Sequence, residues 1–150
     1  MAGAYQLEVV RKRIREPEAS VNSSDETARR YAYLEKYDRE RLIRVDLDGQ
    51  NRVIGQEIVS IGTINSTLVS PREVFKGAIL NNATRIILVH NHPSGQAEPS
   101  DEDEEINEVL REAGKLLAIP VIDFVIIGES GRYWSAVGGA GCVYLKTAAE

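Results

Sequence analysis

The sequence predicts a mixed α/β domain in which a central mixed β-sheet is flanked by two or three helices. Segments with the alternating or continuous apolar pattern of strands are interleaved with segments whose apolar residues recur at helical spacing. With 150 residues, of which 43% are hydrophobic and 27% charged, the chain resembles an ordinary globular domain with a sizeable core. We therefore expect residues 1–150 to form a single domain.

The N-terminal part of the chain predicts a strand followed by a helix. Residues 5–14 alternate apolar and polar side chains, so we expect an opening strand there and a connector through residue 22. Ser23 and Glu26 have the spacing of a capping box, and apolar residues then recur at helical spacing. This first helix should end near Asp38.

The next two strands should form a hairpin that leads to a second helix. Residues 43–47 alternate up to Asp48-Gly49, a strong turn signal, and the returning strand runs from Val53 to Ile61. At Ser70, a capping residue is followed by a proline at the first helical position and a glutamate at the third. This pattern predicts a helix that ends at Asn81-Asn82.

The C-terminal half of the chain predicts a buried strand, a long helix and a second buried strand. Residues 85–89 are almost wholly apolar, as expected of a central strand covered on both faces. An apolar stripe over residues 100–117 predicts an amphipathic helix. Residues 121–127 form the next apolar run, and residues 133–135 can pair back on it. The Gly/Ala-rich residues 139–150 are expected to form a loosely specified tail.

Both histidines of the chain lie at the end of the predicted central strand. Positions i and i+2 of a strand face the same way, so His90 and His92 can converge on one point. Pro93 cannot continue an interior ladder, and the helix that begins at Ser100 brings an acidic first turn, including Asp103, towards the imidazoles. Two imidazoles and one carboxylate, with a fourth position left to water, are the ligands of a hydrolytic zinc site. We expect one zinc ion per chain.

These residues carry a resemblance to a known family. His90-Asn91-His92-Pro93, followed after six residues by Ser100-x-x-Asp103, resembles the JAMM (JAB/MPN+) metallopeptidase signature. With Pro71-Arg72-Glu73-Val74 upstream and Gly114-Lys115-Leu116-Leu117 downstream, the chain is similar to the RadC branch of that superfamily from about residue 23 to 136. The resemblance implies a JAB/MPN architecture, a cytidine-deaminase-like sandwich. RadC-like proteins were named as DNA-repair proteins. Many carry an N-terminal helix-hairpin-helix region, which we do not expect in this chain.

The resemblance also implies roles for five residues. His90, His92 and Asp103 match the three zinc ligands, and Ser100 matches the residue that supports the oxyanion during carbonyl attack. The family also has a glutamate that activates the attacking water, at the start of the strand after the first helix. Glu40 stands at that place in this sequence.

Some of these roles have simpler structural alternatives. Ser100 and Asp103 have the spacing of a capping box, so both could merely begin the helix. Glu40 lies in a charged run, in which Glu35 or Asp38 could be mistaken for it.

Two further points stay open at this stage. A 2-His-1-carboxylate iron site is the alternative metal assignment, whereas a cupin would need a further histidine that the chain does not have. RadC-like chains usually have Asp-His after the long helix, where this chain has Asp123-Phe124. That position is not part of the JAMM motif, so its loss should not disable the zinc site, but it puts any RadC-specific role in doubt.

The leading hypothesis is a zinc-dependent hydrolase that cleaves amide, peptide or isopeptide bonds in a peptide or protein substrate. The alternatives are a DNA-repair accessory protein or nuclease, and a non-catalytic zinc-containing binding module. A net charge of −5 does not favour nucleic acid as a partner, although the basic residues 11–15 could contact phosphates as well as protect an edge strand. The chain has one cysteine and no apolar run near the roughly 18 residues of a membrane span, and we expect no secretory signal. We therefore expect a cytoplasmic protein that does not insert into a membrane.

Overall fold

A computed structural model describes residues 3–6, 8–9, 12–13 and 19–143. The strands are β1 (Arg41–Leu47), β2 (Val53–Ile61), β3 (Arg85–Asn91), β4 (Val121–Ile127), β5 (Arg132–Ser135) and β6 (Gly139–Cys142). The helices are α1 (Ser24–Tyr31), α2 (Pro71–Leu80) and α3 (Asp101–Leu117), and a short 3-10 helix, Ala32–Lys36, follows α1. The strands form one sheet in the order β2-β1-β3-β4-β5-β6. Only β3 and β4 are parallel neighbours, so the mixed sheet and the predicted fold class are confirmed.

Helices cover both faces of the sheet. On one face, α2 and α3 pack over a core that includes Leu88 and Phe124. On the other face, α1 packs over a core that includes Val89 and Val125. Because β3 and β4 are buried on both faces, their sequences are almost continuously apolar. No helix in the described part of the chain is long and apolar enough to cross a membrane.

The topology brings three chain segments together at one end of the central strands. The chain leaves the C-terminal end of β3, enters α3 and returns in β4 parallel to β3, so the end of β3 adjoins the start of α3. Strand β1 runs antiparallel to β3, with Leu42 paired to His90, so the beginning of β1 lies next to the end of β3.

The predictions for the two ends of the chain differ from the structure. The described residues at 3–6, 8–9 and 12–13 are not in a strand, and the remaining residues of the predicted opening strand lie outside the described ones. The first helix becomes a 3-10 helix after Tyr31 and ends at Lys36, two residues before the predicted end near Asp38.

The start of the predicted loose tail is in fact ordered. Residues 139–142 form β6 and pair with β5, whereas residues 144–150 lie outside the described part of the chain. Gly141 leaves room for the ring of Tyr133, which a Cβ at that position would overlap. Gly139 supplies a φ of +73°, which favours glycine, at the turn. A glycine-rich composition therefore marks close packing here.

Candidate metal centre

Both histidine rings are oriented by backbone carbonyl groups. The Nδ1 atom of His90 lies 2.8 Å from the carbonyl oxygen of Arg41, and that of His92 lies 2.9 Å from the carbonyl oxygen of Gln96. A carbonyl oxygen can only accept, so Nδ1 carries the proton in both rings. In the neutral rings, Nε2 is therefore left with its lone pair. Histidines that bind metals usually donate their other ring N–H in this way.

The Nε2 atom of His90 is buried and has no hydrogen-bond partner among the described residues. Two carboxylate oxygens lie near it, Glu40 Oε1 at 3.4 Å and Asp103 Oδ1 at 3.5 Å. A carboxylate cannot donate to a neutral ring nitrogen, and leaving a buried polar group unpaired costs about 1–3 kcal/mol. A cation between the nitrogen and the two carboxylates would satisfy all three groups, so the residues fit a metal ion.

Four side chains from three chain segments form this centre, which we call the metal cluster: Glu40, His90, His92 and Asp103. Ligand atoms of Glu40, His90 and His92 all lie within 4.8 Å of one another. Asp103 completes the cluster, since its Oδ2 atom lies 2.9 Å from His92 Nε2. The Asp103 side chain is 1% exposed and that of Glu40 27%, so Glu40 is the carboxylate that faces solvent.

The capping box and the metal cluster use the same aspartate. Ser100 Oγ accepts from the backbone N–H of Asp103 at 3.1 Å, and Asp103 Oδ2 accepts from the backbone N–H of Ser100 at 2.9 Å. The cap therefore holds the Asp103 carboxylate against His92. The exposed Ser100 hydroxyl acts as the acceptor in this bond, so its own proton remains available to another partner.

The charges of the metal cluster shift two pKa values in opposite directions. Burial raises the pKa of Asp103, but hydrogen bonds from His92 and the Ser100 N–H lower it overall. Burial lowers the pKa of His92, but its bonds to Asp103 and to the Gln96 carbonyl, with the Glu40 charge, raise it overall. Without metal, a proton on His92 thus pairs with Asp103, and a metal ion has to displace that proton.

The residues that hold the metal cluster in place were not predicted. Asn91 bonds both peptide groups that flank Glu40, and Gln96 orients His92 through its carbonyl. Gly95, with a φ of +89°, turns the loop so that its carbonyl accepts from the N–H of Glu129 at 2.8 Å. A Cβ at Gly95 would lie 2.6 Å from the Glu129 carboxylate. The only sequence signal for these roles is the position of an asparagine between the two histidines.

The structure separates the alternatives for the acidic residue. Glu35 is engaged elsewhere, because its carboxylate accepts from the backbone N–H of Ser130 at 3.1 Å, beyond the end of β4. Glu40 is the acid of that charged run in the metal cluster. Phe124 is fully buried, and its ring centroid lies 6.5 Å from that of His90. The residue that departs from the RadC pattern therefore packs as an apolar neighbour of His90.

Comparison with known proteins gives the family. Residues 21–140 match the family model described as RadC-like JAB domain. The UPF0758 protein of Methanosarcina acetivorans is 44% identical over 123 residues, which cover 81% of this chain and 53% of that protein. The UPF0758 protein of Methanococcoides burtonii is 50% identical over 97 residues, which cover 65% of this chain and 42% of that protein. The chain thus spans about half the length of the curated relatives it matches. Its sequence, from α1 to β6, belongs to the RadC-like JAB domain family.

Proposed function

We propose that this domain is a zinc-dependent hydrolase that cleaves amide, peptide or isopeptide bonds in a peptide or protein substrate. One observation carries the proposal: the buried, unpaired Nε2 atom of His90 faces two carboxylates from different elements. A site built only for stability would satisfy that nitrogen with a donor. An unpaired nitrogen beside two anions is instead suited to a cation.

The donor set favours zinc. His90, His92 and Asp103 would hold the ion, since imidazole nitrogen and carboxylate oxygen are common zinc ligands in catalytic sites with an open position. Bound zinc would act as a Lewis acid on a carbonyl oxygen and lower the pKa of a water molecule to about 7. Phosphodiester cleavage more often uses two metals with several bridging carboxylates, and the metal cluster offers donors for one ion. This balance favours amide over phosphodiester substrates.

Glu40 is the general base in this proposal. Its carboxylate is partly exposed and lies 3.4 Å from His90 Nε2, so it can reach a water molecule that enters from solvent. Glu40 takes a proton from this water as the new bond to the carbonyl carbon forms, and delivers it to the nitrogen as the C–N bond breaks. Such proton transfer typically contributes about 10²- to 10⁴-fold to the rate.

Ser100 is the proposed donor to the developing oxyanion. Its hydroxyl lies at the start of α3 and keeps its own proton while accepting from the Asp103 N–H. Loss of one oxyanion donor costs on the order of 3–4 kcal/mol of transition-state stabilisation in other enzymes.

Metal content tests the first part of the proposal. Elemental analysis of purified wild-type protein should find one zinc ion per chain, and the His92→Ala variant should have lost it. Competition between zinc and ferrous iron distinguishes the two metals that such ligands accept. Equal zinc in the wild type and in His92→Ala would refute the site.

Activity tests the second part. A peptide-library digest is run beside cleavage assays on single- and double-stranded DNA, each with zinc and with a chelator. We expect chelator-sensitive peptide products that Glu40→Gln abolishes while still binding zinc. The matched control is Glu35→Gln, which removes a nearby carboxylate outside the metal cluster and should retain activity. Chelator-sensitive DNA cleavage without peptide products would contradict the proposal.

A further inference from the structure

We propose that Asn91 is a positioning residue whose side-chain amide holds Glu40 at the metal cluster by bonding the peptide groups on both sides of it. This inference rests on the proposed function, in which Glu40 is the general base. Asn91 lies between the two histidines in sequence, but its side chain bonds the segment that carries Glu40.

The side chain of Asn91 bonds the backbone of both neighbours of Glu40. The Oδ1 atom of Asn91 accepts from the backbone N–H of Arg41 at 2.7 Å. Its Nδ2 atom donates to the carbonyl oxygen of Arg39 at 3.0 Å. Asn91 is 1% exposed, so its side chain is shielded from water. Because side chains alternate along a strand, Asn91 points away from the face that carries the histidine rings.

These two bonds replace the next backbone hydrogen bonds that would join β1 and β3. Pairing between β1 and β3 ends at Leu42 and His90, one position short of Arg41 and Asn91. A primary amide has the donor and the acceptor of a peptide group, so the Asn91 side chain can continue the ladder after the strands diverge. On the other side of Glu40, the N–H of Gly62 donates to the Glu40 carbonyl at 2.7 Å. The backbone at Glu40 is therefore held from both neighbouring segments.

The same peptide segment also holds a histidine. The carbonyl oxygen of Arg41 accepts from His90 Nδ1, while the N–H of Arg41 donates to Asn91. The segment that carries the base is thus also bonded directly to a neighbouring ligand, without Asn91. A glutamate side chain has several rotatable bonds, so a fixed backbone is needed to keep its carboxylate near the cluster. Misplacement of a reacting group by about 1 Å can cost about 10²-fold in rate.

Three variants test the inference. Asn91→Ala removes both bonds, and Asn91→Asp keeps the acceptor for Arg41 but cannot donate to Arg39 when ionised. The matched control is Asn81→Ala, which removes a comparable bond, from Nδ2 to Asp46 Oδ2 at 2.9 Å, near the other end of β1. Amide hydrogen exchange of the metal-free proteins measures the bond itself. We expect exchange at the Arg41 N–H to be about fivefold faster in Asn91→Ala, and unchanged in Asn81→Ala.

Bound cobalt(II) then reports on Glu40 without any substrate. We expect the visible spectrum of the bound cobalt to change in Glu40→Gln and in Asn91→Ala, although both variants still bind the ion. Asn91→Asp should change it less, and Asn81→Ala should retain the wild-type spectrum. A variant that carries both Glu40→Gln and Asn91→Ala should resemble Glu40→Gln alone, because the effect of Asn91 acts through Glu40. Peptide hydrolysis by Asn91→Ala should fall about 10- to 100-fold.

A wild-type spectrum in Asn91→Ala, or changes that simply add in the double variant, would overturn the inference. Wild-type protein that binds cobalt but cleaves no peptide would contradict the proposed hydrolase, while the spectral comparison would still judge the role of Asn91. Wild-type protein that binds no cobalt would overturn both.

Discussion

Replacement of His90 with leucine distinguishes a metal ligand from an ordinary core histidine. The substitution removes the buried Nε2 atom that has no partner, which should recover about 1–3 kcal/mol. It also removes the 2.8 Å bond to the carbonyl of Arg41, and an unpaired carbonyl costs a similar amount. Since the two contributions oppose each other, we expect the free energy of unfolding of the metal-free protein to change by no more than about 1 kcal/mol.

Urea unfolding in the presence of a chelator measures this change in the free energy of unfolding. The control is Leu88→Ala, two residues earlier on the same face of β3 and also fully buried. Deletion of such a core side chain costs about 2–5 kcal/mol, so the assay has a clear reference.

Zinc should then separate the wild type from the variant. At free zinc about 100-fold above the dissociation constant, a ligand-binding protein gains about 2.7 kcal/mol. At about 2–4 °C per kcal/mol, the wild-type Tm should rise by about 5–11 °C, and that of His90→Leu should stay the same. Our reasoning would be refuted if His90→Leu lost as much stability as Leu88→Ala without metal, or kept the full gain from zinc.

Three further outcomes follow from the same contacts. In the metal-free protein, the pair of His92 and Asp103 should stabilise the fold most between about pH 4 and 6.5. This stability should be lost at higher pH, as His92 deprotonates through its raised pKa, and at lower pH, as Asp103 is protonated through its lowered pKa. Urea unfolding across this pH range measures the effect, and Asp103→Asn should flatten it. Ser100→Ala should lower the free energy of unfolding by about 1 kcal/mol through loss of the helix cap, whereas Ser100→Asn should largely restore it without restoring peptide hydrolysis. Gly95→Ala should destabilise the protein by at least about 1 kcal/mol and weaken zinc binding in a metal titration, because the φ of +89° at this position favours glycine and strains an alanine.

Local patterns in the sequence determined most of the secondary structure. The turn signal at Asp48-Gly49 predicted β2, and an apolar run predicted β4, at the residues where they occur. Capping residues predicted the first residues of α2 and α3. These signals work because helix caps and strand alternation involve residues only a few positions apart. The same locality explains why the spacing of His90 and His92 placed both rings on one face of the sheet.

Local patterns could not decide which acid joins the histidines. Glu35 and Glu40 lie in one charged run, and only the pairing of β1 with β3 brings Glu40 to His90. That register depends on long-range backbone hydrogen bonds, which leave no periodic signal in the sequence. The pairing of β6 with β5 was missed for the same reason, because its glycines matter only when Tyr133 packs across them.

The buried nitrogen of His90 and the two bonds of Asn91 depend on the tertiary structure in the same way. Whether a polar atom has a partner depends on groups that lie about 50 residues away in the chain, such as Glu40 and the peptide groups beside it. The residue types that can bind a metal were therefore evident from the sequence. Only the folded chain, which buries His90 Nε2 with no donor among the described residues, determined that they form a site suited to a cation.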